Sequence, residues 1–102
     1  MPYQNDIGTV IEAQITEGGE PLALPSDVVA YFRIQKPNGQ VVTRLASLQA
    51  DGSDGMIEYI IVAGDFDQFG RYLFQGHVAF GSGSWSTKIE SLEVESILKN
   101  RK

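Results

Sequence analysis

The chain has 102 residues, which is enough for one domain, and it contains no cysteine, which excludes disulfides and thiolate chemistry. Its net charge is −5, and three of the eight basic residues lie among the last four, so residues 1–98 hold five basic and thirteen acidic side chains, a net charge of −8. An acidic body repels a phosphate backbone, and no apolar run approaches the roughly 18 residues that span a bilayer, so we expect neither a nucleic-acid nor a membrane partner. We predict one domain over 1–102, with an ordered core over about 6–98 and a basic tail at 99–102 that is either a solvated end or a contact for an acidic partner.

Clusters of Gly, Pro and Asn divide the chain into apolar segments whose polarity alternates with a period of two, which predicts strands. The residues expected to face inward are, in chain order, Ile7, Thr9, Ile11, Ala13 and Ile15; Val28, Ala30, Phe32 and Ile34; Ile57, Tyr59 and Ile61; and Tyr72, Phe74, Gly76, Val78 and Phe80. Residues 56–62 are apolar on both faces, which predicts a central or covered strand. Residues 21–25 are bracketed by prolines and are expected to form only a short edge strand.

Six main strands and this short one, in about 100 residues, predict an all-β fold: an immunoglobulin-like antiparallel β-sandwich of about seven strands. Because no cysteine pair ties the sheets together, hydrophobic packing must hold them. The largest core side chains are expected to be Phe32, Tyr59, Tyr72, Phe74 and Trp85. Tight hairpin turns are predicted at 36–39 (Lys-Pro-Asn-Gly) and at 81–84 (Gly-Ser-Gly-Ser).

The stretch 64–70 has a different pattern, because Phe66 and Phe69 lie three positions apart among aspartates. This spacing predicts one short helical turn near 65–69 that crosses an end of the sandwich, with both rings in the core and Asp65 as its cap. Tyr72 follows directly. It is either a corner tyrosine whose hydroxyl bonds to the backbone or an ordinary core residue.

The last strand changes the parity of its apolar residues. One parity holds Trp85 and Ile89, and the other holds Leu92, Val94 and Leu98. A strand cannot keep both sets inward without an extra residue, so we predict a β-bulge or a sharp bend near Glu90 and Ser91.

Five segments in this order resemble the small immunoglobulin-like domains of tailed bacteriophages. They are 6–9 (DIGT), 32–39 (FRIQKPNG), 54–59 (DGMIEY), 64–72 (GDFDQFGRY) and 85–87 (WST), the last after a Gly-rich hairpin. The series is similar to the N-terminal domain of phage baseplate upper proteins and spans roughly residues 6–98. The resemblance implies a virion structural protein, made in the bacterial host cytoplasm, that docks onto other virion proteins of the tail, baseplate or head. Homo-oligomerisation is left open.

No residue grouping indicates catalysis. The single histidine, His77, falls on the outer face of its strand beside Arg71 and Gln75, with no base or nucleophile predicted next to it. Residues 51–55 begin like a calcium loop but lack its later ligands, so they fit an Asx-rich turn. We therefore expect no enzyme activity, no metal site and no cofactor.

The candidate interaction surface consists of Trp85, Phe66 and Phe69, because each lies in or beside a glycine-containing loop. An exposed Trp85 would be a sugar-stacking or protein-docking anchor, and a buried one would be a core residue. Two functions stay open: the virion structural protein, and a β-sandwich module that binds a carbohydrate or a cell-surface ligand, which requires an exposed aromatic cluster.

Overall fold

The computed structural model describes residues 2–97, and within them the chain forms strands and turns without a helix. The strands are β1 (Val10–Gln14), β2 (Thr16–Glu17), β3 (Glu20–Pro21), β4 (Val29–Gln35), β5 (Val41–Leu45), β6 (Ser47–Leu48), β7 (Met56–Ile60), β8 (Gly70–Phe80), β9 (Gly83–Ser86) and β10 (Glu90–Val94). The all-β prediction is confirmed, with more and shorter strands than expected. The predictions for Leu98 and for the tail at 99–102 lie outside the described residues.

The strands form an antiparallel β-sandwich. In the larger sheet β10, β8, β4 and β5 lie in that order, and β9 completes it by pairing with β8. In the smaller sheet β7 lies between β1 and β6, while β2 pairs with β3 in a separate ribbon. The prediction of a central strand at 56–62 is confirmed. Its outer face is open to solvent, since Ile60 is 53% exposed.

The core lies between the two sheets and takes side chains from both. Its buried apolar residues are Ile11, Ile15, Leu24, Ala30, Phe32, Ile34, Ile57, Ile61, Phe66, Tyr72, Val78 and Val94. Most of them belong to the inward sets that alternation predicts. Ile7 is an exception and is exposed, because it precedes the first strand pairing. Of the five large side chains expected in the core, Phe32 and Tyr72 are fully buried, whereas the partly buried ones are Tyr59, Phe74 and Trp85.

Both predicted hairpin turns are present. At 36–40 the Lys36 N–H donates to the Gln40 carbonyl at 2.8 Å, and Gly39 adopts a φ of +92°. At 81–82 two residues join β8 to β9. The prediction for 21–25 is wrong in position, because the short strand lies at Glu20–Pro21, where a turn through two glycines with positive φ pairs it with β2.

The prediction of a helical turn near 65–69 is wrong. A hydrogen-bonded turn occupies 63–66 instead, closed by the Asp65 N–H donating to the Val62 carbonyl at 3.1 Å. Phe66 is in the core, 2% exposed, whereas Phe69 is 61% exposed. Residues three apart share a face only in a helix, so the chain after Phe66 turns the second ring outward.

The predicted β-bulge is present, one to three residues earlier than expected. Ser86 of β9 pairs with His77, and Glu90 of β10 pairs with Phe74, so residues 75–76 of β8 face the three residues 87–89. The extra residue changes the parity of the strand, as the apolar pattern required. Both halves stay on β8, so the strand does not change sheets.

Thr87 fills the gap that the bulge opens in the ladder. Its N–H donates to the Gly76 carbonyl at 2.9 Å, and its hydroxyl accepts from the Gly76 N–H at 3.0 Å. The expectation that Ile89 faces inward with Trp85 is wrong, because Ile89 lies within the bulge and is 62% exposed.

Candidate interaction surface

A buried carboxylate anchors the loop between β7 and β8. Asp65 is 3% exposed, and its Oδ1 accepts from Arg44 of β5 at 3.0 Å. Its Oδ2 accepts from the Tyr59 hydroxyl at 2.6 Å and from the Val62 N–H at 2.9 Å. Asp65 is therefore not the helix cap that the sequence predicted. It links a turn to one strand of each sheet.

These bonds also set the acidities of the cluster. Burial by itself raises the pKa of the Asp65 carboxyl, but the bonds from Tyr59, Val62 and Arg44 outweigh it and hold that pKa below its usual value. Burial, together with the neighbouring carboxylate, raises the pKa of Tyr59 to about 12. Near neutral pH the cluster is thus a charged Asp–Arg pair beside a neutral phenol.

Two further contacts hold the same loop. The buried ammonium of Lys36 donates to the Gly64 carbonyl at 3.1 Å and to the Asp67 carboxylate at 3.0 Å. The Tyr72 hydroxyl donates to the Gln68 carbonyl at 2.8 Å and accepts from the Gln68 N–H at 3.1 Å. Both interpretations of Tyr72 therefore hold, since it is a core residue and also a corner tyrosine.

The anchored loop presents Phe69 at one end of the sandwich. Gly70 packs against the neighbouring hairpin so closely that a Cβ there would lie 3.0 Å from Pro37. The Gln68 side chain accepts from the Asn38 N–H of that hairpin at 3.2 Å. Phe69 is thus an exposed ring on a loop fixed by the core below it and by the hairpin beside it.

Trp85 lies near the opposite end of β8 and does not join Phe69. It pairs with Val78 and stacks on Phe80, with ring centroids 4.7 Å apart and planes inclined by 24°. Its indole N–H donates to Glu17 at 3.4 Å. The single surface predicted from Trp85, Phe66 and Phe69 does not form. Phe66 is in the core, Phe69 directly precedes the first residue of β8, and Trp85 pairs with Val78 near the last.

The structure reveals a different surface, on the outer face of the larger sheet. A shallow groove of about 220 Å³ there is lined by Arg33, Gln35, Val41, Leu73, Phe74, Gln75 and Ile89. Val41 and Ile89 expose more than half of their side chains, so apolar walls flank polar groups. Sequence reasoning missed this groove because Ile89 enters it only through the bulge.

The histidine lies beside this groove, on the outer face, as predicted. Tyr31 stacks on its ring at a centroid distance of 5.1 Å, and His77 Nδ1 lies 2.8 Å from the Ser86 hydroxyl. The sequence did not predict the Ser86 contact, because it depends on the β8–β9 register. Burial lowers the pKa of His77, and the positive charge of Arg33 lowers it further. Among the described residues His77 Nε2 has no hydrogen-bond partner, so the Ser86–His77 pair lacks the third group that orients the base in a catalytic triad.

A polar cleft lies between the edges of the two sheets. Its volume is about 380 Å³, and it is lined by Ala13, Gln14, Thr16, Ser86, Thr87, Lys88 and Glu90. Hydroxyl, amide and charged groups dominate this lining. It lies next to the Glu17 that contacts Trp85.

Comparison with known proteins adds no relative: no protein-family model matches the chain, and a search of curated proteins finds no match. Over residues 2–97, no helix is long and apolar enough to cross a membrane. In the same part of the chain, no three His, Asp or Glu side chains are grouped closely enough to hold a metal ion.

Proposed function

We propose that this protein is a non-enzymatic structural component of a tailed-phage or prophage particle, in the tail, baseplate or a related part. It docks onto other virion proteins through the outer face of its larger sheet. The series of segments that resembles phage immunoglobulin-like domains supports the setting. The observation that supports the docking face is the groove, where exposed aliphatic side chains flank polar ones.

The composition of the groove indicates what it accepts. Interfaces between proteins combine apolar contacts with hydrogen bonds, and the groove offers both: Ile89 and Val41 lie at its two sides, and the amides of Gln35 and Gln75 lie between them. Arg33 places one cation in the groove, although the chain as a whole has a net charge of −5. The expected occupant is an uncharged apolar loop whose backbone carbonyls accept from the two amides, and the net charge of −5 favours a subunit that is neutral or basic as a whole.

Ile89 is the side chain with which to test this face. Complete burial of an isoleucine contributes about 1.5–3 kcal/mol, so burying its exposed part in an interface contributes about 1–2 kcal/mol. Ile89→Lys replaces that gain with the cost of desolvating a charge. It should weaken docking by at least tenfold. Ile60→Lys is the matched control, because it changes a similarly exposed isoleucine on the opposite sheet.

The measurement is the amount of each variant in purified particles, by mass spectrometry of dissociated virions. We expect wild type and Ile60→Lys to be incorporated and Ile89→Lys to be depleted, with circular dichroism showing all three folded. Absence of the wild-type chain from particles would refute the virion assignment. Equal incorporation of the two lysine variants would refute the docking face.

A second function is favoured by the polar cleft near Trp85. Sugar sites combine an aromatic ring with hydroxyl, amide and charged side chains, and this cleft has the polar part of that set. A glycan array should then show binding that Lys88→Ala abolishes and Phe69→Ala preserves, because Phe69 lies at the other end of the sandwich. Absence of any glycan signal from the folded wild-type chain would exclude this function.

A further inference from the structure

β5 is an edge strand with one row of free backbone groups. It lies at the end of the larger sheet, and within residues 2–97 its only neighbour is β4. Backbone bonds in an antiparallel pair alternate along the strand. The bond from Lys36 N–H to the Gln40 carbonyl and the bond from Ala46 N–H to the Ala30 carbonyl fix that alternation. The even-numbered residues of β5 therefore bond to β4, and the odd-numbered residues direct their N–H and C=O groups away from the sheet.

The free groups belong to Val41, Thr43 and Leu45. Within residues 2–97 these backbone groups take part in one hydrogen bond, in which the Arg44 side chain donates to the Thr43 carbonyl at 3.2 Å. A carbonyl oxygen has two lone pairs, so this contact leaves room for a second donor. The row is a template for one more strand.

Two other edge strands, β1 and β10, carry charges that disfavour such pairing, and β5 does not. The edge of β1 carries a carboxylate, Glu12, at its middle. The edge of β10 is acidic and is bridged at its end by Tyr3 pairing with Glu95. Edge strands are normally protected by charge, proline or a bulge. β5 has no proline, bulge or carboxylate, and its one charge, Arg44, is paired with Asp65.

Two copies of β5 are complementary when they pair antiparallel with Thr43 at the centre of the pair. In that register Thr43 faces Thr43 of a second copy, and Val41 faces Leu45 of the second copy. Leu45 is 79% exposed, and Val41 lies on the same outer face. Each Val41–Leu45 contact joins two aliphatic side chains across the strands. Pairing the three free residues in this way makes about six backbone bonds, and any other register makes fewer.

We propose that β5 binds β5 of a second copy of this chain, so that two larger sheets join into one continuous sheet across a two-fold axis. This deepens the proposed docking function by naming one partner. Val41 lines the groove and also faces Leu45 of the second copy, whereas Ile89, on the other side of the groove, stays free for another subunit. The expected dimer is weak and dependent on concentration, because the interface is one short strand from each copy.

The first experiment is sedimentation velocity on the full chain over a range of concentrations. The mass should rise from the monomer's 11.2 kDa towards twice that value. Leu45→Glu places a carboxylate at each apolar contact and should raise the dissociation constant at least tenfold. Val10→Glu, a matched change on the edge strand β1, should leave it unchanged. A wild-type chain that stays monomeric to millimolar concentration, or a dimer that Leu45→Glu does not weaken, would overturn the proposal.

The second experiment tests the register by crosslinking introduced cysteines. The chain has no cysteine of its own, so only the introduced ones can react. Directly opposed residues lie about 5.5 Å apart across an antiparallel pair, whereas the two Leu45 positions would be offset by roughly 13 Å along the strands. A short bis-maleimide should therefore crosslink Thr43→Cys with itself and not Leu45→Cys with itself. It should also crosslink a mixture of Val41→Cys and Leu45→Cys. Equal crosslinking of Thr43→Cys and Leu45→Cys would refute this register. Both experiments use the isolated chain, so their failure is distinct from absence of the protein in virions.

Discussion

Replacing Asp65 with alanine removes the acceptor that joins a turn to both sheets. Three groups lose their partner: the guanidinium of Arg44, the hydroxyl of Tyr59 and the backbone N–H of Val62. Bonds to a charged group contribute about 1.5–3 kcal/mol each, so a simple sum gives roughly 5–9 kcal/mol. The real loss is smaller for two reasons. The Arg44 side chain is 35% exposed, so its guanidinium can bond to water instead, and folding of the alanine variant no longer includes the cost of removing a carboxylate from water.

We therefore expect Asp65→Ala to lower the free energy of unfolding by about 3–4 kcal/mol, which for a domain of this size lowers Tm by roughly 12–20 °C. Urea and thermal unfolding at pH 7, followed by circular dichroism, measure both quantities. Glu93→Ala is the control, because Glu93 pairs with Arg71 at 3.6 Å with both side chains well exposed, and its loss should be below about 0.5 kcal/mol. A loss for Asp65→Ala as small as that of the control would show that the carboxylate does not anchor the loop.

The contribution of Asp65 to the free energy of unfolding depends on pH. Because the folded-state pKa of Asp65 lies below its unfolded value of about 3.9, the stability it contributes is fully present above that value and is lost as the pH falls through the folded pKa. The difference in unfolding free energy between wild type and Asp65→Asn should thus be constant from pH 7 to about pH 5 and shrink below about pH 4. A difference that stays constant down to pH 2 would contradict the assigned shift.

Tyr72→Phe should lower the free energy of unfolding by about 1–2 kcal/mol in urea titrations, because it leaves the Gln68 backbone groups without their partner. Ultraviolet titration of the folded chain should show a tyrosine with a pKa of about 12 that disappears in Tyr59→Phe; its stability contribution is present below about pH 10 and lost as the pH rises through the folded value. Phe66→Ala should cost about 3–5 kcal/mol and Phe69→Ala less than about 0.5 kcal/mol, and equal losses in thermal unfolding would contradict their opposite burial.

Alternation of polarity was enough to predict the inward faces of β4 and β8. Both strands are long, and one face of each packs against the other sheet. Apolar and polar residues therefore alternate along them with a period of two. The bulge was predictable for the same reason, since the parity of the last strand had to change. Its position was not, because Thr87 sets it through bonds to Gly76, which lies 11 residues away in sequence.

The loop between β7 and β8 was predicted only in part. Phe66 is in the core as expected, but Phe69 is not, since the expectation assumed helical spacing in a stretch that forms only a turn. The buried Asp65–Arg44 pair was not predicted at all. Neither residue stands out in the sequence, and their meeting depends on where β5 lies relative to that turn.

By itself the sequence determined the local properties of this protein: which side chains alternate inward, where glycine and asparagine turn the chain, and that its body is acidic. These follow from each residue and its near neighbours. Only the tertiary structure decided that Lys36 reaches Asp67, 31 positions on, that Ile89 opens onto a groove, and that β5 is left at an edge. Such contacts depend on strand order and register, which arise when distant segments pack together, and no short stretch of sequence encodes them.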